Sequence, residues 1–132
     1  RRNAEHYCAT KPNNVTMNTL YLVPETWDLT VDASGNIAMA SDPYAIAQDV
    51  ASACRLWQGE ALFDTSRGVP YKSSVLGQRP PVAMLTEWFR TEAKTVPGVV
   101  DATPILIFEN RQLSGQIQIT TETETINVNI AN

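Results

Sequence analysis

Charge is the first thing this chain is short of. Only 18% of its 132 residues are Asp, Glu, Lys or Arg, against roughly 25% in an average soluble domain. So thinly charged a surface suits a protein that buries area against partners. The charge present sums to −4, so the chain as a whole lacks the basic footprint of a nucleic-acid binder. Histidine occurs once, at His6, and cysteine twice, at Cys8 and Cys54, with no Cys-x-x-Cys pair. A zinc site has little to build on, and no metal or cofactor is expected. Two free thiols in a reducing compartment is the simpler reading of the cysteines. No apolar run approaches the roughly 18 residues of a membrane span. The first residues hold no apolar h-region, so they are not expected to act as a secretory signal. No nucleophile stands with a base and an orienting group at a recognisable spacing.

What is present is enough for one core. Hydrophobic residues make up 43% of the chain, and its length suits one domain. Residues 1–16 show no apolar periodicity and are expected to be a flexible or partner-ordered extension. Regular patterning begins at Met17, so residues 17–132 are read as a single domain. Trp27, Leu29 and Val31 alternate on one face, Asp32-Ala-Ser-Gly-Asn36 is dense in turn residues, and Ile37-Ala-Met39 resumes the alternation. That pattern predicts a β-hairpin.

Asp42-Pro43 predicts a helix start, with Asp as N-cap and Pro at the first helical position. Ile46, Val50, Ala53, Cys54 and Trp57 follow at spacings of three and four, one apolar stripe, and Gly59 is expected to stop the helix. Residues 60–79 read as a long loop punctuated by Gly68, Pro70 and Gly77, with Leu62, Phe63, Val69, Tyr71, Val75 and Leu76 as its apolar anchors. Pro80-Pro81 opens a second helix whose apolar face is Met84, Leu85, Trp88 and Phe89, and Pro97-Gly98 ends it.

The remainder reads as β. One strand spans residues 99–108, with Pro104 a possible break. A second spans 115–120, with Ile117 and Ile119 inward. A third spans 125–130, with Ile126, Val128 and Ile130 on one side. The apolar parity changes from odd to even across residues 121–125, so a turn or bulge is required there. The fold class expected is α+β: an N-terminal β-hairpin, two helices joined by a long loop, and a C-terminal antiparallel three-stranded meander.

The helix running into Gly59-Glu60, then Ala-Leu-Phe-Asp64, then Arg67-Gly68, resembles the core of the baseplate wedge or sheath-initiator proteins of contractile phage tails. The order of elements is similar from Met17 to the C-terminus. In the resemblance the family's Gly-Glu turn corresponds to Gly59 and Glu60, its loop Gly to Gly68, and its Pro after the second helix to Pro97. Two positions depart from it: Ala61 and Gly98 stand where the family often has Arg. Pairing by those arginines is then absent or supplied by Arg67 or Arg79. The resemblance implies a structural role in the virion, assembled in the host cytoplasm. It implies contacts with tail sheath subunits, baseplate wedge proteins and central hub or tube proteins, with six copies per baseplate, and with no nucleic acid or membrane as partner. It also implies nucleation of sheath polymerisation by strand exchange. The residues expected to meet the sheath are Thr125, Ile126, Asn127, Val128, Asn129 and Ile130. There the outward residues Thr125, Asn127 and Asn129 are small and polar, and no Lys or Pro blunts the edge.

Blander readings stand beside these. Glu60 and Asp64 form a carboxylate pair that a small peptidoglycan-cleaving enzyme could use, but Glu60 tying down the helix-end turn or pairing with Arg67 is the simpler account. His6 lies in a polar tail with no acid partner in a fixed frame. Trp27, Trp57 and Trp88 read as core packing rather than a binding platform. Arg1-Arg2 reads as a solvated tail as readily as a grip on an acidic neighbour. An unrelated α+β adaptor protein is the third alternative.

Overall fold

The computed structural model describes residues 17–110 and 112–129. His6, Cys8, Arg1, Arg2 and Ile130 lie outside the described residues, as does the expected extension 1–16. The fold is α+β, in the expected order. A short hairpin pairs β1 (Asn18–Leu20) with β2 (Met39–Ser41). Helices α1 (Tyr44–Arg55) and α2 (Val82–Lys94) follow. The meander is β3 (Asp101–Glu109), β4 (Gln112–Thr120) and β5 (Thr125–Asn129), in the order β3-β4-β5, antiparallel throughout.

The hairpin differs in detail from its sequence reading. The turn forms where expected: Asp32 Oδ1 accepts from Ser34 N–H at 2.8 Å and from Asn36 N–H at 3.0 Å. The flanking segment joins only through single bridges, Leu22 to Leu29 and Val31 to Ile37, and the longer pairing lies further out in β1 and β2. The parity is also reversed. Ala40 is buried, whereas Leu20, Leu29, Val31, Ile37 and Met39 are exposed. The small residues face the body of the protein because α1 packs close there, and the large ones are left on the outer face.

Both helices form and bury most of their expected stripes, although on α2 Met84 is exposed and Trp88 only half-buried. Val50, Cys54, Leu85 and Phe89 are fully buried, and α1, α2 and the meander share one core with Ile117, Ile119 and Val128. Asp42 does not cap α1. The helix begins after Pro43 with no side-chain cap, and Asp42 Oδ2 instead accepts from Met17 N–H at 3.0 Å, joining the strand segment to the helix start. Nor does α1 reach Gly59. It ends at Arg55, and Leu56 is already extended, at φ −66° and ψ 128°. Pro104 does not interrupt β3. It lies on an edge strand, where a missing N–H need cost no ladder bond. The expected turn between β4 and β5 spans residues 121–124. Thr121 holds it, with its N–H donating to Glu124 O at 2.9 Å and its Oγ1 accepting from Glu124 N–H at 3.1 Å.

An ion cluster clips α2 to β3. Arg90 Nη2 and Lys94 Nζ each lie 3.0 Å from Asp101 Oδ1. Hydrogen bonds from Lys94, from the Ala102 N–H and from Arg90 hold the Asp101 carboxyl down at about 2. All three side chains are half-exposed, so the contribution to stability is modest.

Candidate functional site

Two features of the surface stand out. The first is the loop after α1. Past Leu56 the chain turns away and returns at Gly68-Val69. The loop is closed by main-chain bonds: Val69 N–H donates to Leu56 O at 2.9 Å, and Gln58 N–H donates to Val69 O at 3.0 Å. Gly68 is at φ +98°, and a Cβ there would lie 2.7 Å from Leu56 O and 2.8 Å from Gln58 N. The loop can shut this tightly only on glycine. Glu60 stabilises the other side. Its Oε2 accepts from Trp57 N–H at 3.1 Å while its own N–H donates to Trp57 O at 3.0 Å. Gly59, at φ +96°, supplies the left-handed turn between them. Glu60 thus ties down the helix-end turn, and Arg67 is not its partner. Arg67 Nη2 donates to Thr95 Oγ1 at 2.6 Å, and Thr95 Oγ1 donates to Glu92 O at 2.6 Å. The loop is therefore anchored to the end of α2, just before the exposed Pro97.

The tip of this loop corrects the sequence reading. Leu62 and Phe63 are not anchors. They are 90% and 97% exposed. Asp64 N–H donates to Ala61 O at 3.2 Å, which makes Leu62 and Phe63 the two central residues of a β-turn. Asp64 Oδ1 accepts from Ser66 N–H at 3.1 Å and from Ser66 Oγ at 2.5 Å. These bonds hold its carboxyl below the ordinary carboxylate range.

Trp57 also departs from its expected core role. It lies beyond α1, is 40% exposed, and leans on Tyr71 with ring centroids 5.7 Å apart. Trp27 is half-buried beneath the Arg55 guanidinium, 4.3 Å from its ring centre. Trp88 is half-buried on α2. Tyr71 fastens the base of the loop, its hydroxyl donating to Cys54 O at 2.6 Å. Burial pushes the Cys54 thiol up to about 12, with the Glu92 charge adding to the effect.

The second feature is β5. It has β4 on one side and no strand on the other among the described residues. Val100 N–H donates to Thr120 O at 2.8 Å, so the main chain of Thr120 faces β3. Thr120 is opposite Thr125, and that pair therefore exchanges no bonds. The Thr121–Glu124 bond gives the same phase. Alternation along an antiparallel ladder then turns the N–H and C=O of Thr125 and Asn127 away from β4 and towards the outer edge. The side chains alternate as expected, with Val128 buried, Ile126 half-buried and Thr125 and Asn127 exposed.

Beside this edge lies a groove of about 430 Å³ between α1 and β5. Its walls include Pro24, Trp27, Tyr44, Ala47, Ala51 and Ile126. Asn127 and Asn129 of β5 also line it. Two of its polar side chains are engaged: Gln48 accepts from Leu22 N–H at 2.8 Å and donates to Leu20 O at 2.7 Å, and Tyr44 Oη donates to Leu22 O at 2.9 Å. The groove was not legible in the sequence, because it arises where the 22–27 segment, α1 and β5 meet.

Among the described residues no helix is long and apolar enough to cross a membrane, and no cluster of His, Cys, Asp and Glu could hold a metal ion. No protein-family model matches the chain, and no curated protein matches it.

Proposed function

We propose that this chain is a structural component of a contractile phage tail baseplate that connects wedge and hub to the sheath and nucleates sheath polymerisation by β-strand augmentation. The observation that carries this reading is the outer edge of β5, where the main chain of Thr125 and Asn127 is directed outward beside small, uncharged side chains. A sheet edge without Lys, Pro or a bulge is a template for another strand. Main-chain bonds supply the affinity and alternate side chains fix the register. The exposed large residues of the hairpin's outer face supply further apolar surface for neighbouring wedge or hub chains.

The test is Asn127→Pro. Proline removes one outward N–H and leaves the buried side chains of β5 in place. Expected are a folded protein and particles that carry baseplate and tube but no ordered sheath, seen by negative-stain microscopy. A full-length sheath built at the wild-type rate by a folded variant overturns the proposal.

The wall-cleaving alternative on Glu60 and Asp64 is the weaker reading. A glycosidase needs one carboxylic acid held protonated near neutral pH. Asp64 is shifted the other way by Ser66, and Glu60 is committed to the Trp57 N–H. Turbidity clearing of cell walls that Glu60→Gln abolishes would restore that alternative.

A further inference from the structure

We propose that the Leu62-Phe63 tip of one copy inserts into the α1–β5 groove of a second copy, giving a head-to-tail contact between identical chains. Central positions of β-turns are ordinarily Gly, Pro, Asn, Asp or Ser, which suit the backbone and the solvent. Here both are large and apolar, and both are almost wholly in water. A departure from local turn chemistry with no gain inside the same chain marks a functional position. The tip is also pre-organised. The Leu56–Val69 closure, the Gly68 approach, the Asp64–Ser66 bonds and the Arg67–Thr95 anchor fix it before any partner arrives. Little order then has to be gained on docking.

The groove offers the matching half. It is walled by Trp27, Tyr44, Ala47 and Ile126 and is of a size suited to one or two large side chains. The chain's own tip does not fill it, since Phe63 is 97% exposed. A knob and a hole at different places on one molecule make a heterologous contact, which closes into a ring or runs on as an open chain. Two side chains bury far less than the roughly 800 Å² per partner of a standard interface. The pairwise contact is therefore weak, and, resting on the assembly role proposed above, it is suited to copies already held side by side. It calls on the side chains of the groove, whereas strand addition calls on the main chain of Thr125 and Asn127. Asn127 lines the groove as well as the edge, so Phe63→Asp, which leaves both the groove and the edge of β5 intact, is the variant that separates the two.

The test uses isotope-labelled Phe63→Asp, which keeps the groove but has lost the knob. The substitution is at an exposed tip and leaves the core untouched. Adding unlabelled wild type at up to about 1 mM is expected to shift the amide resonances of Ala47, Gln48 and Ile126. Adding unlabelled Phe63→Asp is expected to shift none of them. Sedimentation of wild type alone is expected to show concentration-dependent association that Phe63→Asp weakens at least tenfold. Shifts absent with wild type, shifts confined to another surface, or shifts that persist when both partners carry Phe63→Asp each overturn the proposal.

Discussion

A methyl group on Gly68 would stand within 3 Å of three main-chain atoms of Leu56, Trp57 and Gln58. The contacts are with backbone, so no side-chain rotation relieves them. Gly68→Ala is expected to cost at least about 2 kcal/mol, from strain at a positive φ together with the broken loop closure. Urea denaturation measures it, and a change under about 0.5 kcal/mol would show that the loop closes less tightly than the geometry requires. Glu60→Gln should be milder than Glu60→Ala, since the amide oxygen can still accept from the Trp57 N–H. Asp101 gives a pH dependence with a definite sign. Its folded pKa, about 2, lies below the ordinary 3.8. The ion cluster therefore contributes fully above about pH 4 and is lost as the pH falls through 2. Thermal melts of Asp101→Asn should show a flatter acid limb than wild type between about pH 4 and 2. Identical limbs would mean that Arg90 and Lys94 do not hold the carboxylate in solution.

At the scale of elements, periodicity and punctuation carried the fold. The stripes of α1 and α2, the parity change before β5 and the Asp32–Asn36 turn were all legible, because each is set by residues close in sequence. Two of the misses come from contacts made far along the chain, and a third from a local turn. Asp42 caps nothing because a tertiary partner, Met17 N–H, takes its carboxylate. Trp57 falls outside the core because α1 ends at Arg55, where Val69 pairs with Leu56 from far along the chain. Leu62 and Phe63 look like anchors by hydropathy alone, and only the bond from Asp64 to Ala61 reveals a turn that points them outward. The Gly59-Glu60 turn and Gly68 were legible as residues, but their roles were not, since those rest on contacts made across the loop. Phe89 shows the opposite case. Its place on the α2 stripe predicted burial, and it is completely buried between both helices and the sheet. Phe89→Ala is expected to cost about 3–5 kcal/mol, measured by denaturant titration. A loss below about 1 kcal/mol would mean that the core does not depend on this ring.

On the scale of the whole molecule, the notable imbalance is between a sparse charge and an abundant apolar exterior. Leu29, Val31, Ile37 and Met39 share the outer face of the hairpin segment while the alanines beside them face the body. For a chain that works alone this arrangement is backwards, because the larger side chains gain most from burial. It is the expected arrangement for a chain whose hairpin is covered by a neighbour in an assembly. Replacing these four residues together with Thr keeps β-propensity and removes the apolar surface. If the face is reserved for a partner, each exchange should cost no more than about 0.5 kcal/mol. The variant should then melt close to wild type and stay soluble at higher concentration, yet fail to join the parent particle when supplied in place of wild type. Calorimetry and particle composition by mass spectrometry read the two halves of that expectation. A variant that is unfolded at room temperature would show that the face belongs to the chain's own core. One that folds and is incorporated at the wild-type level would show that the face meets no partner.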